Sequence, residues 1–286
     1  MCGIAGFWSI GGHSDPQVVA EMMASRLKHR GPDDFGTWGD STAHIALAHR
    51  RLSILDISAA GHQPMKSHCG RYIVVFNGEI YNHRRIRDKL RERDLHSHWK
   101  GHSDTETLLG CMSCWGVEQT LQHIEGMFAF AVWDRQQKVL YLARDRMGEK
   151  PLYYGWQGDS FLFGSELKAL KAHPSFNSAV DRGVLGLFFR YNYVPGPYSI
   201  FEGIRKLLPG SFLKLDLANH AARDCPEPIA YWSLARVAEQ GIGNRFSGSE
   251  AQALDLLEEK LSAAVSDQML SDVPLGFLLS GGIDSS

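Results

Sequence analysis

Cys2 follows the initiator methionine directly, in the run Met1-Cys2-Gly3-Ile4-Ala5-Gly6. Its small side chain suits removal of Met1, which would leave a cysteine carrying its own free α-amine. A thiol nucleophile and a base would then share one residue. The amine has an ordinary pKa of ~7.7–8.0, so a useful fraction is neutral near pH 7. It can take the thiol proton directly or through water, with no catalytic histidine. Four further islands carry reactive side chains beside predicted strands, and they read as loops. They are His29-Arg30-Gly31-Pro32-Asp33, His49-Arg50-Arg51-Leu52-Ser53-Ile54-Leu55-Asp56, Asn77-Gly78-Glu79-Ile80-Tyr81-Asn82 and Gly101-His102-Ser103-Asp104-Thr105-Glu106.

Taken singly, each island also has a plainer use. Ser103-Asp104 precedes an apolar run, so Asp104 could cap a helix. Asn77-Gly78 could be a type I′ turn after a strand, Glu79 a solvated acid at a helix start, and Arg51 a surface ion-pair partner. All of these together beside an N-terminal cysteine are harder to explain that way. Of the five cysteines, Cys111 and Cys114 form a C-x-x-C pair. No second pair or H-x-x-x-H follows at zinc spacing, and the two sit i, i+3 in an apolar helix, where a free cysteine packs as a small hydrophobe. His96 and His98 could share a strand face, but no third ligand is near. An odd, sparse set of cysteines argues against a disulfide framework.

The elements that must position these residues follow from periodicity. Gly3 to Ser9 reads as a strand. Asp15-Pro16 opens a helix with an apolar face of Val18, Val19, Met22, Met23 and Leu27, stopped by Gly31-Pro32. Strands are expected over Ile45 to Leu52 and Tyr72 to Phe76, and helices over Tyr81 to Arg93 and Thr105 to Trp115. Met127 to Trp133 is apolar on both alternating faces, so both of its sides should be covered. Asp134 to Gln137 and Gln157 to Asp159 read as hairpin turns, linking Met127–Trp133 to Val139–Ala143 and Leu152–Tyr154 to Phe161–Phe163. Short helices are expected over Glu166 to Ala172 and Asp181 to Arg190. Two stacked antiparallel sheets with helices outside satisfy this α+β pattern.

Five prolines punctuate residues 195–246, which read as a connector. Ser247 and Glu250 suggest a capping box for a helix with a Leu254, Leu257, Leu261, Val265 stripe. Gly276 to Leu279 reads as a short buried strand. The 286 residues, 44% apolar and 22% charged with net charge −2, give an ordinary soluble composition with no footprint for nucleic acid. No run is long enough for a membrane span and no signal peptide is visible, so the expected compartment is the cytoplasm.

With Cys2-Gly3-Ile4, the four islands resemble the class II glutamine amidotransferases, which are N-terminal-nucleophile hydrolases. Among them the chain is most similar to the glutamine-hydrolysing asparagine synthetases, over residues 2–286. The resemblance implies a four-layer αββα sandwich over residues 2–194. It also implies a glutamine site. Arg51 would hold the substrate carboxylate, with Leu52, Ser53, Ile54 and Leu55 contributing backbone; its neighbour Arg50 points the other way in a strand. Glu79 and Asp104 would hold the ammonium, and Asn77 (side-chain amide) with Gly78 (backbone N–H) would form the oxyanion hole. Cys2 would attack the δ-carbonyl, and water would release glutamate from a thioester. No cofactor is needed for that step. His29 to Asp33, Arg144 to Gly148 and Lys150 to Tyr154 also recur in the family and read as scaffold.

Ser280-Gly281-Gly282-Ile283-Asp284-Ser285 resembles the pyrophosphate loop of ATP pyrophosphatases, with Leu278 beside it. In the resembled family that domain uses ATP and Mg2+ to activate aspartate for attack by ammonia. Residues 247–286 would be only its start. The expectation is therefore a truncated synthetase, able at most to hydrolyse glutamine, with Phe277 to Ser286 poorly ordered or packed unlike the family. Another carboxylate acceptor, such as a sugar acid or peptide, remains open, as does a catalytically silent protein. The Ser280 to Ser285 loop argues against a sugar-isomerase or phosphoribosyltransferase partner domain, and Cys2 argues against β-lactam synthetase relatives.

Overall fold

The computed structural model describes residues 1–11, 15–93, 99–217 and 225–283. His96, His98, Asp284 and Ser285 lie outside the described residues. In chain order the elements are β1 (Gly3–Ser9), α1 (Pro16–Ser25), β2 (Asp34–Asp40), β3 (Ile45–Arg51), β4 (Met65–Lys66), β5 (Tyr72–Ile80), α2 (His83–Glu92) and α3 (Asp104–His123). They continue with β6 (Gly126–Asp134), β7 (Val139–Arg144), β8 (Tyr153–Gln157), β9 (Ser160–Gly164), α4 (Leu167–Leu170) and α5 (Arg182–Tyr191). The last are β10 (Ile204–Lys206), β11 (Ser211–Asp216), β12 (Ile229–Ala230), α6 (Leu234–Gly243) and α7 (Glu250–Gln268).

Two antiparallel sheets result, in the orders β10-β8-β9-β1-β3-β2 and β12-β11-β7-β6-β5-β4. β6 explains why they stack. Its Phe128, Phe130 and Val132 join the cluster under α2 and α3, while Ala129, Ala131 and Trp133 join the cluster between the sheets. Residues of opposite parity thus serve two interfaces, as a strand apolar on both faces requires. A third cluster packs Ala5, Phe7, Ala46 and Ala48 against α1 and α4. The layers run helix, sheet, sheet, helix: an α+β sandwich.

Asp15 caps α1 by accepting from the Gln17 and Val18 N–H groups. Val19, Met23 and Leu27 of its expected face are buried, but Val18 and Met22 are about half exposed. Ala20 and Ala24 complete the buried stripe instead, because they keep the helical period from Pro16. α3 extends beyond Trp115 to His123 across a break at Gly116, where φ is 77°. Cys111 is buried in it, and burial pushes its thiol pKa up.

Three expectations change. β10 and β11 lie inside residues 195–246 and lengthen both sheets, β10 pairing with β8 and β11 with β7; this part of the expected connector is sandwich. Its prolines lie outside these short strands rather than break the domain. The capping box is at Ser249 and Gln252, not Ser247 and Glu250, and Leu254, Leu257, Leu261 and Val265 of α7 are exposed. Gly276 to Leu279 forms neither a strand nor a buried segment: Leu278 is 99% exposed. Among the described residues no neighbouring strand pairs with it, and a lone parallel strand has nothing to bury it.

Candidate active site

The reactive residues converge at one end of the sandwich. Cys2, Arg51, Leu52, Ile54, Leu55, Asn77, Gly78, Glu79 and Asp104 line a single cavity, which leaves about 120 Å³ free. Cys2 precedes β1, and the end of β3 runs alongside, with Gly3 opposite Arg50. The Leu52 N–H points at the Cys2 sulfur (3.4 Å), and the Leu52 carbonyl lies 3.6 Å from it. Burial pushes the thiol pKa up, so the thiol stays protonated until a base takes the proton. Arg30 donates to the Cys2 carbonyl (2.7 Å) and to Glu166 (2.9 Å), fixing the backbone of the nucleophile. The terminal amine, here on Met1, is held below its ordinary value by burial and by the Arg30 and Lys150 charges.

Asn77, Gly78 and Glu79 are strand residues, not a loop or a turn: β5 continues to Ile80 in register with β6. The strand's alternation decides what each group does. The Phe76 N–H donates to Gln63 Oε1 (2.7 Å) and the Ile80 N–H to Asp104 Oδ2 (2.9 Å). Gly78 lies between them with the same parity, so its N–H shares that edge. Opposite Gly78, Phe128 bonds Asp145 through both N–H and carbonyl, facing away from β5. β4 pairs only with Ile73 and Val74 and does not cover this part of the edge. The glycine itself is demanded by close strand approach, since a Cβ there would sit 2.1 Å from the Met127 carbonyl. Asn77 is 1% exposed, and its Nδ2 is buried without a partner. A buried amide donor left unpaired is costly, and this one lines the cavity beside Cys2.

Asp104 opens α3 but does not cap it. Ser103 is the cap, accepting from the Glu106 N–H. Asp104 accepts from the Ile80 and Thr105 N–H groups (2.9 and 2.8 Å) and is 5% exposed. Burial, with the nearby Glu79 carboxylate, raises its pKa to about 6. Burial also raises that of Glu79. Two adjoining carboxyls that are reluctant to ionise suit a cationic ligand. The sign gives an expected pH profile. Above pH ~6 Asp104 is charged and attracts an ammonium; below it the carboxyl is neutral and the attraction is lost. The KM for an amino-acid substrate should therefore be flat above pH ~7 and rise up to about tenfold per unit below pH ~6. The rise should vanish in Asp104→Asn, which steady-state kinetics against pH will check.

Arg51 enters the cavity, but its guanidinium already serves the protein. Nη2 donates to the Leu55 (3.1 Å) and Asp56 carbonyls, and Nη1 to the Ser58 carbonyl (3.3 Å). Of its five N–H donors, three are used to fold the loop after β3. Ser53 does not line the cavity; its N–H donates to Asp33 (2.8 Å), which makes the His29 to Asp33 run a loop anchor. Arg50 turns away and lies over the Phe35 ring, 4.1 Å from its centroid. His49 bridges the sheets at the Phe76 carbonyl (3.0 Å); burial drops its pKa to about 3, so it is neutral and donates. Asn82 ties the end of β5 to His123 and Glu125.

Gln63 and Lys150 also line the cavity. Lys150 is 6% exposed, with Nζ 3.6 Å from the Met1 sulfur. Its only sequence signal is a place in a run read as scaffold. The Arg144 to Gly148 run before it is held by Asp145, which collects the N–H groups of Phe128, Met147, Glu149 and Lys150. Gln63 carries no signal before the fold brings it under Phe76. Among the described residues no group of three or more His, Cys, Asp or Glu is placed to hold a metal, and no helix is long and apolar enough to cross a membrane. At the far end, Gly281 has φ +72°, as a phosphate-wrapping turn needs, yet Leu278 and Ile283 are almost fully exposed. An added Cβ at Gly276 or Gly281 meets nothing within 4 Å. Leu278, Ser280, Gly281 and Gly282 are not among the residues that line the Cys2 cavity.

The fold matches that of two solved enzymes. One is the glutamine phosphoribosylpyrophosphate amidotransferase from Bacillus subtilis complexed with ADP and GMP, at TM-score 0.58 and 18% identity over 81% of this chain and 49% of that one. The other is described as the allosteric regulatory enzyme of purine biosynthesis, at TM-score 0.56 and 18% identity. The glutamine amidotransferase domain profile matches residues 1–232, and the asparagine synthase profile residues 256–286. The chain belongs to the glutamine amidotransferase family. Over its whole length it is 37% identical to the glutamine-hydrolysing asparagine synthetase 3 of Bacillus subtilis, spanning 44% of that protein. It is 32% identical to a putative glutamine-hydrolysing asparagine synthetase of Methanocaldococcus jannaschii, spanning 56% of it. It is 33% identical to the amidase chry2 of Gibberella zeae, spanning 42% of it. The chain thus spans about half the length of these curated relatives.

Proposed function

We propose that the chain hydrolyses glutamine to glutamate and ammonia, as the amide-donating half of an asparagine-synthetase-type enzyme. The unpaired Asn77 Nδ2 carries this reading: a buried donor beside a half-buried thiol awaits an oxygen that becomes negative. With Met1 removed, the α-amine of Cys2 takes the thiol proton, and the sulfur attacks the δ-carbonyl. The developing oxyanion accepts from Asn77 Nδ2 and the Gly78 N–H. The amine then protonates the leaving ammonia, and water hydrolyses the thioester. Glu79 and Asp104 hold the substrate ammonium. Arg51 shapes the Leu52 to Leu55 loop and keeps two N–H groups for the carboxylate.

In this reading the ammonia acceptor is aspartate activated by ATP with Mg2+, in the cytoplasm; the names of the relatives and the Ser280 to Ser285 run support it. The residues that line the cavity serve the glutamine step. The test is glutamate and ammonia release from glutamine by the purified chain without ATP, with intact mass reporting loss of Met1. Turnover is expected. A chain that has lost Met1 yet releases no glutamate overturns the proposal.

A further inference from the structure

The segment after α7 reaches back to the glutamine loop through one carboxylate. Asp272 Oδ2 accepts from the Asp56 N–H (2.6 Å) and lies 2.6 Å from His102 Nε2. The Asp272 N–H donates to the Ile54 carbonyl (3.0 Å). His102 closes the ring, its N–H donating to Asp56 Oδ2 (2.8 Å) and its Nδ1 lying 3.7 Å from the same oxygen. Asp56 is fully buried with φ +52°, in the left-handed region that few non-glycine residues other than Asn and Asp adopt. Its carbonyl receives Arg51 Nη2. One connected set of bonds therefore runs from Asp272 through Asp56 to Arg51 and the cavity wall.

The apolar stripe of α7 is exposed, and Asp267 adds one ion pair to Arg85 (2.9 Å). The geometry points to Asp272 as a positioning residue: together with His102 it locks the loop from Leu52 to Ser58, so the segment beyond α7 sets how tightly the chain holds glutamine. The inference about glutamine rests on the proposed glutaminase reading; the lock itself does not. A loop carrying backbone contacts to substrate loses affinity when it loses order, while the thiol ahead of β1 and the oxyanion donors on β5 stay where they are.

The experiment uses the full 286-residue chain with Asp272→Ala, Asp272→Asn, His102→Ala and the double alanine variant. Hydrogen exchange of the 52–58 amides and steady-state glutaminase kinetics are read together. Asp272→Ala should speed exchange of the loop and raise the KM for glutamine about tenfold, with kcat within about twofold, the scale of one lost charge-assisted bond. Asp272→Asn retains an acceptor oxygen and should recover part of both effects. The double variant should be no worse than the worse single one. Unchanged exchange of residues 52–58 in Asp272→Ala overturns the lock. A fall in kcat at unchanged KM overturns the positioning role. Absence of turnover in the unsubstituted chain overturns the glutaminase reading, and the exchange result still decides the lock.

Discussion

Cys2→Ala should end glutamine hydrolysis, lowering kcat by at least ~10³-fold, the scale seen when a covalent nucleophile is removed. No other thiol can replace it: Cys69, Cys111, Cys114 and Cys225 are absent from the cavity lining. The fold should not change, because the sulfur makes two long hydrogen bonds, both with Leu52. Cys2→Ser is the sharper variant. It keeps a hydroxyl beside the amine, but an alkoxide is far harder to make than a thiolate, so little activity should remain. Glutamate release with thermal unfolding as a control checks both. Full turnover by Cys2→Ala would leave the proposed chemistry without a nucleophile. A chain retaining Met1 should be as inactive as Cys2→Ala, since its amine then belongs to another residue and the Met1 side chain lines the cavity.

Asn77→Ala carries the second largest effect, about 10²–10³-fold in kcat, or ~2.7–4 kcal/mol of transition-state stabilisation. The ground-state amide needs this donor far less than the oxyanion does, so KM should stay within about twofold. Stability supplies an independent sign. Most buried polar side chains lose bonds when cut to alanine, but Asn77 Nδ2 has none to lose. Removing an unsatisfied donor offsets the cost of the lost side-chain volume, so unfolding free energy should change by less than ~1 kcal/mol. A large loss of stability with little loss of kcat would make Asn77 a structural residue and move the oxyanion site elsewhere.

Much of this was legible in the chain itself, for reasons particular residues make clear. Cys2 had to be considered because its chemistry depends on sequence position alone. The double-faced apolar run at Met127 to Trp133 required cover on both sides, and β6 has it. Elsewhere local signals misled. Asn-Gly is a favoured hairpin turn, so a strand through Asn77 and Gly78 could not be expected before β6 was seen lying 2.1 Å from where a Cβ would stand. Ser103 and Asp104 are both good caps; only the Ile80 N–H, delivered by β5, turns Asp104 toward the cavity. Prolines between residues 195 and 232 marked chain reversals but did not reveal that β10 and β11 close the sheets.

What the sequence by itself determined is the chemical inventory and the alternation of elements, because nucleophile, charge and period are properties of residues and their nearest neighbours. Tertiary structure alone decided three things: which donor stays unpaired, which carboxyl is hard to ionise, and that Asp272 meets Asp56 from 216 positions away. Each depends on desolvation and hydrogen-bond partners supplied by distant strands, and no local pattern encodes them.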